Sequence, residues 1–150
     1  MSEILKKISA DVVTAMKAGD KFRTSVLRMA KSELNKAALD KGVELDEAAA
    51  IVVLQREVKR REEAAQAYRD AGREDRAAGE TQEGEILRTY LPAQMDEDEI
   101  REIVAEVVKE TGASSPRDFG KVMTPVMVKV AGRADGKLVK QIVDKTLASL

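Results

Sequence analysis

The stretch LPAQMDEDEIREIVAEVVKETG, residues 91–112, decides how the chain is read. Pro92 has no N–H and its ring crowds the residue before it, so a helix arriving at Leu91 stops there. Just beyond it lie the signals of a fresh start. Asp96 is placed to cap the first free amides, Glu99 can complete a capping box, and Met95 with Ile100 is spaced as a hydrophobic staple. Ile100, Ile103, Val104, Val107 and Val108 then recur at helical spacing, and Gly112 closes that helix. One helix ends, a short link follows, and another begins. The expectation is an N-terminal helical domain, residues 1–92, and a C-terminal one, residues 93–150.

Working outward, the same period holds in both directions. Upstream, Ser2 caps a stripe of Ile4, Leu5, Ile8, Val12 and Met16, and Gly19 with Asp20 ends that helix and opens the next. Phe22, Val26, Met29 and Leu34 carry the second helix to Gly42. Asp46 caps a third, long one, with Ile51, Leu54 and Val58 inward, that ends at Gly72. Residues 73–91 are a weaker helix, because Gly79 and Gly84 each cost about 1 kcal/mol relative to alanine. Downstream, Ser115, Pro116 and Asp118 open a helix lined by Phe119, Val122, Met123, Val126, Met127 and Val130. Pro125 inside it predicts a kink or a division into two pieces. Asp135 opens a last helix with Leu138, Val139, Ile142, Val143 and Leu147 inward. No stretch alternates with the period of a strand. The fold class expected is all-α: a bundle or hairpin of long helices, then a three-helix domain.

Composition narrows the function. The 150 residues are 43% hydrophobic and 35% charged, enough apolar material for a core and too much interspersed charge for a membrane protein. The start of the chain lacks the basic and apolar runs of a signal peptide, so the cytoplasm is the expected location and no membrane partner is expected. The absence of Cys and His removes disulfides, thiolate or imidazole catalysis and ordinary zinc sites. Neither a Walker-type phosphate loop nor a dinucleotide glycine fingerprint is present. No catalytic residue, cofactor or metal site is therefore assigned.

A formal charge of -1 means that any nucleic-acid face must be local. The acidic run from Asp96 to Glu99 sits in a first helical turn, where the backbone dipole favours it. Arg56, Lys59, Arg60 and Arg61 form a basic cluster that could meet phosphate. Glu57, Glu62 and Glu63 interleave with it, which favours a solvated, salt-bridged face and leaves it a secondary candidate. Tyr68 and Tyr90 could stack on bases, although packing is the commoner use. Residues 112–150 differ, with seven cations against three acids. There Arg133, Lys137 and Lys140 are spaced to gather on one side, and with Lys121 and Lys129 they make the candidate RNA-binding set. Such a stripe neutralises phosphates by counterion release without reading sequence. On these grounds alone a solvated surface explains the charges equally well.

Five motifs add a resemblance. DKFRTSVLRM at 20–29, the stretch from Arg56 to Arg61 with Tyr68 and the AGR of 71–73, YLP at 90–92, DFGKVM at 118–123 and GRADGKLV at 132–139 together resemble YqeY proteins of the GatB/YqeY family, over nearly the whole chain. The resemblance implies kinship with the tail of GatB, a subunit of the tRNA-dependent amidotransferase that amidates mischarged Glu-tRNA(Gln) or Asp-tRNA(Asn). That tail contacts tRNA, which implies a similar role for residues 96–150. The kinase-like body of GatB, with its magnesium and ATP site, has no counterpart here, and the glutaminase is a separate subunit. The implied function is a non-catalytic tRNA-binding accessory protein, with tRNA and a protein of tRNA-dependent amidation as partners. A second reading is a protein-interaction adaptor working through the long N-terminal helices. A third is a component of a glutamine-dependent carbon–nitrogen ligase whose active sites come from partners.

Overall fold

A computed structural model describes residues 2–130 and 132–150, and among these it contains seven α-helices, one 3-10 turn and no strand. The chain is all-α, as the periodicity predicts. It divides into two compact units, Met1–Leu91 and Pro92–Leu150.

The first unit holds α1 (Glu3–Lys17), α2 (Lys21–Lys41), α3 (Glu47–Asp70) and α4 (Glu74–Arg88). Each of the first three starts where a short polar side chain takes up an amide that the helix leaves free. Ser2 Oγ accepts the Leu5 N–H at 3.1 Å, Asp20 that of Arg23 at 3.0 Å, and Asp46 that of Ala49 at 2.8 Å. Gly42 ends α2 in the left-handed region at φ +71°, where a Cβ would be strained. Ile8, Leu27, Leu34, Leu54 and Leu87 are fully buried and join the helices into one core. Of the residues placed inward by spacing, Met16, Phe22 and Met29 in this unit and Met127 in the second are instead exposed. Leu27 and Ala30 take the inner positions of α2 with Val26 and Leu34, which turns the Phe22 and Met29 side toward water.

α4 runs unbroken through both glycines. Gly84 is buried, and a Cβ there would lie 3.5 Å from the Arg61 Cβ of α3, so at this glycine the two helices leave room for little more than a methyl group. Tyr90 closes the unit. Its hydroxyl donates to the Asp11 carboxylate at 2.5 Å, and the Lys7 ammonium sits 5.6 Å from the ring centroid. That hydrogen bond, helped by Lys7, holds the Asp11 carboxyl below its usual range, while burial and Asp11 push the phenol well up. The ring is a packed side chain with 7% of its surface exposed, which removes the base-stacking option at this position.

The second unit holds α5 (Glu97–Thr111), a 3-10 turn (Pro116–Asp118), α6 (Phe119–Val130) and α7 (Gly136–Ala148). Asp96 caps α5 by accepting the Glu99 N–H at 2.8 Å, and Gly112 ends it in the left-handed region. Before α6 the Asp118 carboxylate accepts the Ser114 N–H at 2.8 Å and the Ser115 N–H at 3.4 Å, bonds that hold its pKa below the ordinary carboxylate range. α6 is one helix with Pro125 inside it, so the expected division does not occur. Val122, Val126 and Val130 lie fully buried on one side of that proline, and Lys121, whose carbonyl loses a donor, is exposed enough for water to replace it. Ile100, Val104, Val107, Val139, Val143 and Leu147 complete a separate core.

Candidate nucleic-acid interface

The five C-terminal cations fall into two kinds once their surroundings are seen. Lys129 faces α5, where its ammonium lies 2.9 Å from Glu106 and 3.1 Å from Glu110. These carboxylates raise the lysine's pKa and the lysine lowers that of Glu106. Arg133 is a fastener. Its Nε donates to the Ala93 carbonyl at 2.9 Å, its own carbonyl accepts the Met95 N–H at 2.7 Å, and its guanidinium lies 3.8 Å from Glu99. The residue thus ties the turn between α6 and α7 to the segment entering α5.

Lys121, Lys137 and Lys140 are exposed and stand in no ion pair among the described residues. Lys137 and Lys140 sit one turn apart on α7, on the side away from Val139, Ile142, Val143 and Leu147. Asp144 follows Lys140 by one further turn and reduces the field there. Lys121 is on α6, where its charge helps to keep Asp118 ionised. The surplus of residues 112–150 is also answered within the unit, because residues 92–111 carry seven acids against two bases.

The secondary cluster separates in the same way. Arg56 and Lys59 are exposed, whereas Arg60 lies 2.9 Å from Glu57. Arg61 is only 12% exposed, 3.5 Å from Glu57, 3.0 Å from Glu83 and 3.9 Å from Glu80. Its Nε is out of line with these oxygens and makes no hydrogen bond, so a dense ion cluster between α3 and α4 holds the side chain by charge more than by geometry. Arg61 is therefore unavailable to a ligand.

Sequence reading overlooked the turn between α1 and α2. An open cleft of about 430 Å³ lies there, bordered by Met16, Asp20, Lys21, Thr24, Ser25 and Arg28. The available signal was local: residues 17–31 hold five cations and a single acid. Among the described residues no group of three or more acidic, His or Cys side chains is arranged to hold a metal ion, and no helix is long and apolar enough to cross a membrane.

The family model described as "Yqey-like protein" matches residues 5–147. The chain is also similar to a protein of Sulfurisphaera tokodaii named as a subunit of glutamyl-tRNA(Gln) amidotransferase, 36% identical over 75 residues. That match covers 47% of this chain and 12% of the relative.

Proposed function

The chain belongs to the YqeY-like family, and from that premise we propose that it is a non-catalytic accessory protein of tRNA-dependent amidation, one that holds tRNA. The observation carrying this reading is the likeness to a protein whose name specifies an amidotransferase acting on a tRNA. The cations offered to phosphate are Lys121, Lys137 and Lys140, while Lys129 and Arg133 shape the unit that presents them. Three cations used in this way give modest, salt-sensitive and sequence-tolerant binding. That behaviour suits a protein that helps a larger assembly keep its tRNA. The larger relative's reaction needs groups beyond those found here, and partners would supply them.

Filter binding of tRNA across a salt series tests the reading. Affinity should fall as salt rises, and replacing Lys121, Lys137 and Lys140 together by alanine should weaken binding and reduce the slope by roughly one for each phosphate that is no longer neutralised. A response flat in salt, or no retention of tRNA by the intact protein, would remove it.

A further inference from the structure

The first helical hairpin carries a charged surface that the proposed function does not use. Within residues 17–31, Lys17, Lys21, Arg23, Arg28 and Lys31 stand against Asp20 alone, with Glu33 just beyond, and none of the five stands in an ion pair among the described residues. Arg23 is half-buried and acts on Asp11 and Tyr90, which leaves the other four. Asp20 uses a carboxylate oxygen on the Arg23 amide, and Thr24 donates its hydroxyl to the Asp20 carbonyl at 2.7 Å. The Thr24 hydroxyl is thereby engaged, while Asp20 keeps its second carboxylate oxygen free at the cleft and offsets one of the neighbouring cations. Lys21, Ser25 and Arg28, spaced by four and three, share one exposed face of α2 along the 430 Å³ cleft. The Arg28 guanidinium rests 3.1 Å from the Met16 sulfur, a weak acceptor that positions it at the rim without neutralising it.

This pattern contrasts with that of several cations elsewhere. Arg60 and Arg61 of α3 and Arg88 of α4 face carboxylates, and Lys129 faces two, whereas Lys21 and Arg28 face solvent and a cleft. An ammonium, a hydroxyl and a guanidinium on one face match a tetrahedral phosphate, whose oxygens accept from several directions, better than a planar carboxylate. We infer that the cleft at the α1–α2 turn binds an RNA backbone phosphate through Lys21, Ser25 and Arg28. This gives the first unit its own hold on the tRNA and rests on the proposed RNA-binding function.

The test uses the full chain, a tRNA transcript and a potassium chloride series, with thermal melts as a folding control. K21A/R28A should bind on the order of tenfold more weakly near 0.1 M salt, with a slope reduced by roughly one for the single phosphate given up, and should melt like the wild type. K21R/R28K, which keeps both charges, should retain the wild-type slope. If K21A/R28A binds like the wild type while K137A/K140A is weakened, the cleft does not meet the RNA and the function stands. An equal weakening in K21R/R28K and K21A/R28A also overturns the cleft, because charge is then not what matters. Failure of the wild type to bind tRNA overturns the function and takes the cleft's role with it.

Discussion

Glu83 shares a half-buried corner with Glu80 and Arg61, and burial followed by the Glu80 charge pushes its carboxyl above the usual range while Arg61 pulls it back. An acid whose pKa is higher in the folded chain binds its proton more tightly there. The fold therefore gains from this carboxyl at pH values below its unfolded-state pKa, and loses that gain as pH rises through the folded-state value. Glu83→Gln removes the titration, so its melting temperature relative to wild type should climb between about pH 4 and pH 7. Melts at matched ionic strength check this, and a relative melting temperature that falls over the interval would contradict the assignment. Half of this corner was legible. Glu57 stands four residues before Arg61, a helical pairing distance, but Glu80 and Glu83 lie on the next helix and no local window joins them to Arg61. The arginine was thus counted as a surface cation when it is an internal one.

Among the helices, starts and stops were the most readable features, because a cap needs only residues close in sequence. Ser2, Asp20, Asp46, Asp96 and Asp135 all accept an amide of the helix that they open. One expectation resting on backbone chemistry, the division of α6 at Pro125, was too strong, whereas the helix expected across Gly79 and Gly84 forms. α6 passes Pro125 whole, held by three valines, and α4 passes Gly79 and Gly84 whole, held against α3. Packing overrode local preference in each. The glycines nevertheless differ. A Cβ at Gly79 meets nothing within 4 Å, whereas at Gly84 it would touch Arg61. Gly79→Ala should stabilise the protein by about 0.5–1 kcal/mol through helix preference alone. Gly84→Leu should destabilise it by roughly 1–3 kcal/mol by forcing α3 and α4 apart. Urea unfolding measures both, and a stabilised Gly84→Leu would mean the helices have slack that the 3.5 Å approach does not suggest.

For the molecule as a whole, the charge of -1 conceals four blocks. Residues 1–41 have nine bases and five acids, 42–91 eight and twelve, 92–111 two and seven, and 112–150 seven and three. Each unit thus pairs a basic segment with an acidic one. The candidate site was legible only in part because sequence counts cations without showing which acids the fold lays against them; Lys129 meets acids 23 and 19 residues earlier. The cores are separate in the same sense, since the apolar set of Ile8, Leu54 and Leu87 shares no member with that of Ile100, Val104 and Leu147. A unit the size of Pro92–Leu150 buries a smaller fraction of its surface than a larger domain does and has little stability in reserve, so the loss of one large side chain should be decisive there. Leu54→Ala and Ile100→Ala each delete a fully buried side chain and should cost about 2–5 kcal/mol. Hydrogen exchange on the full chain should show Ile100→Ala stripping protection from α5, α6 and α7 while α1 to α4 keep theirs, and Leu54→Ala doing the reverse with a smaller fractional loss. Protection falling across all seven helices in either variant would show that the two cores unfold as one.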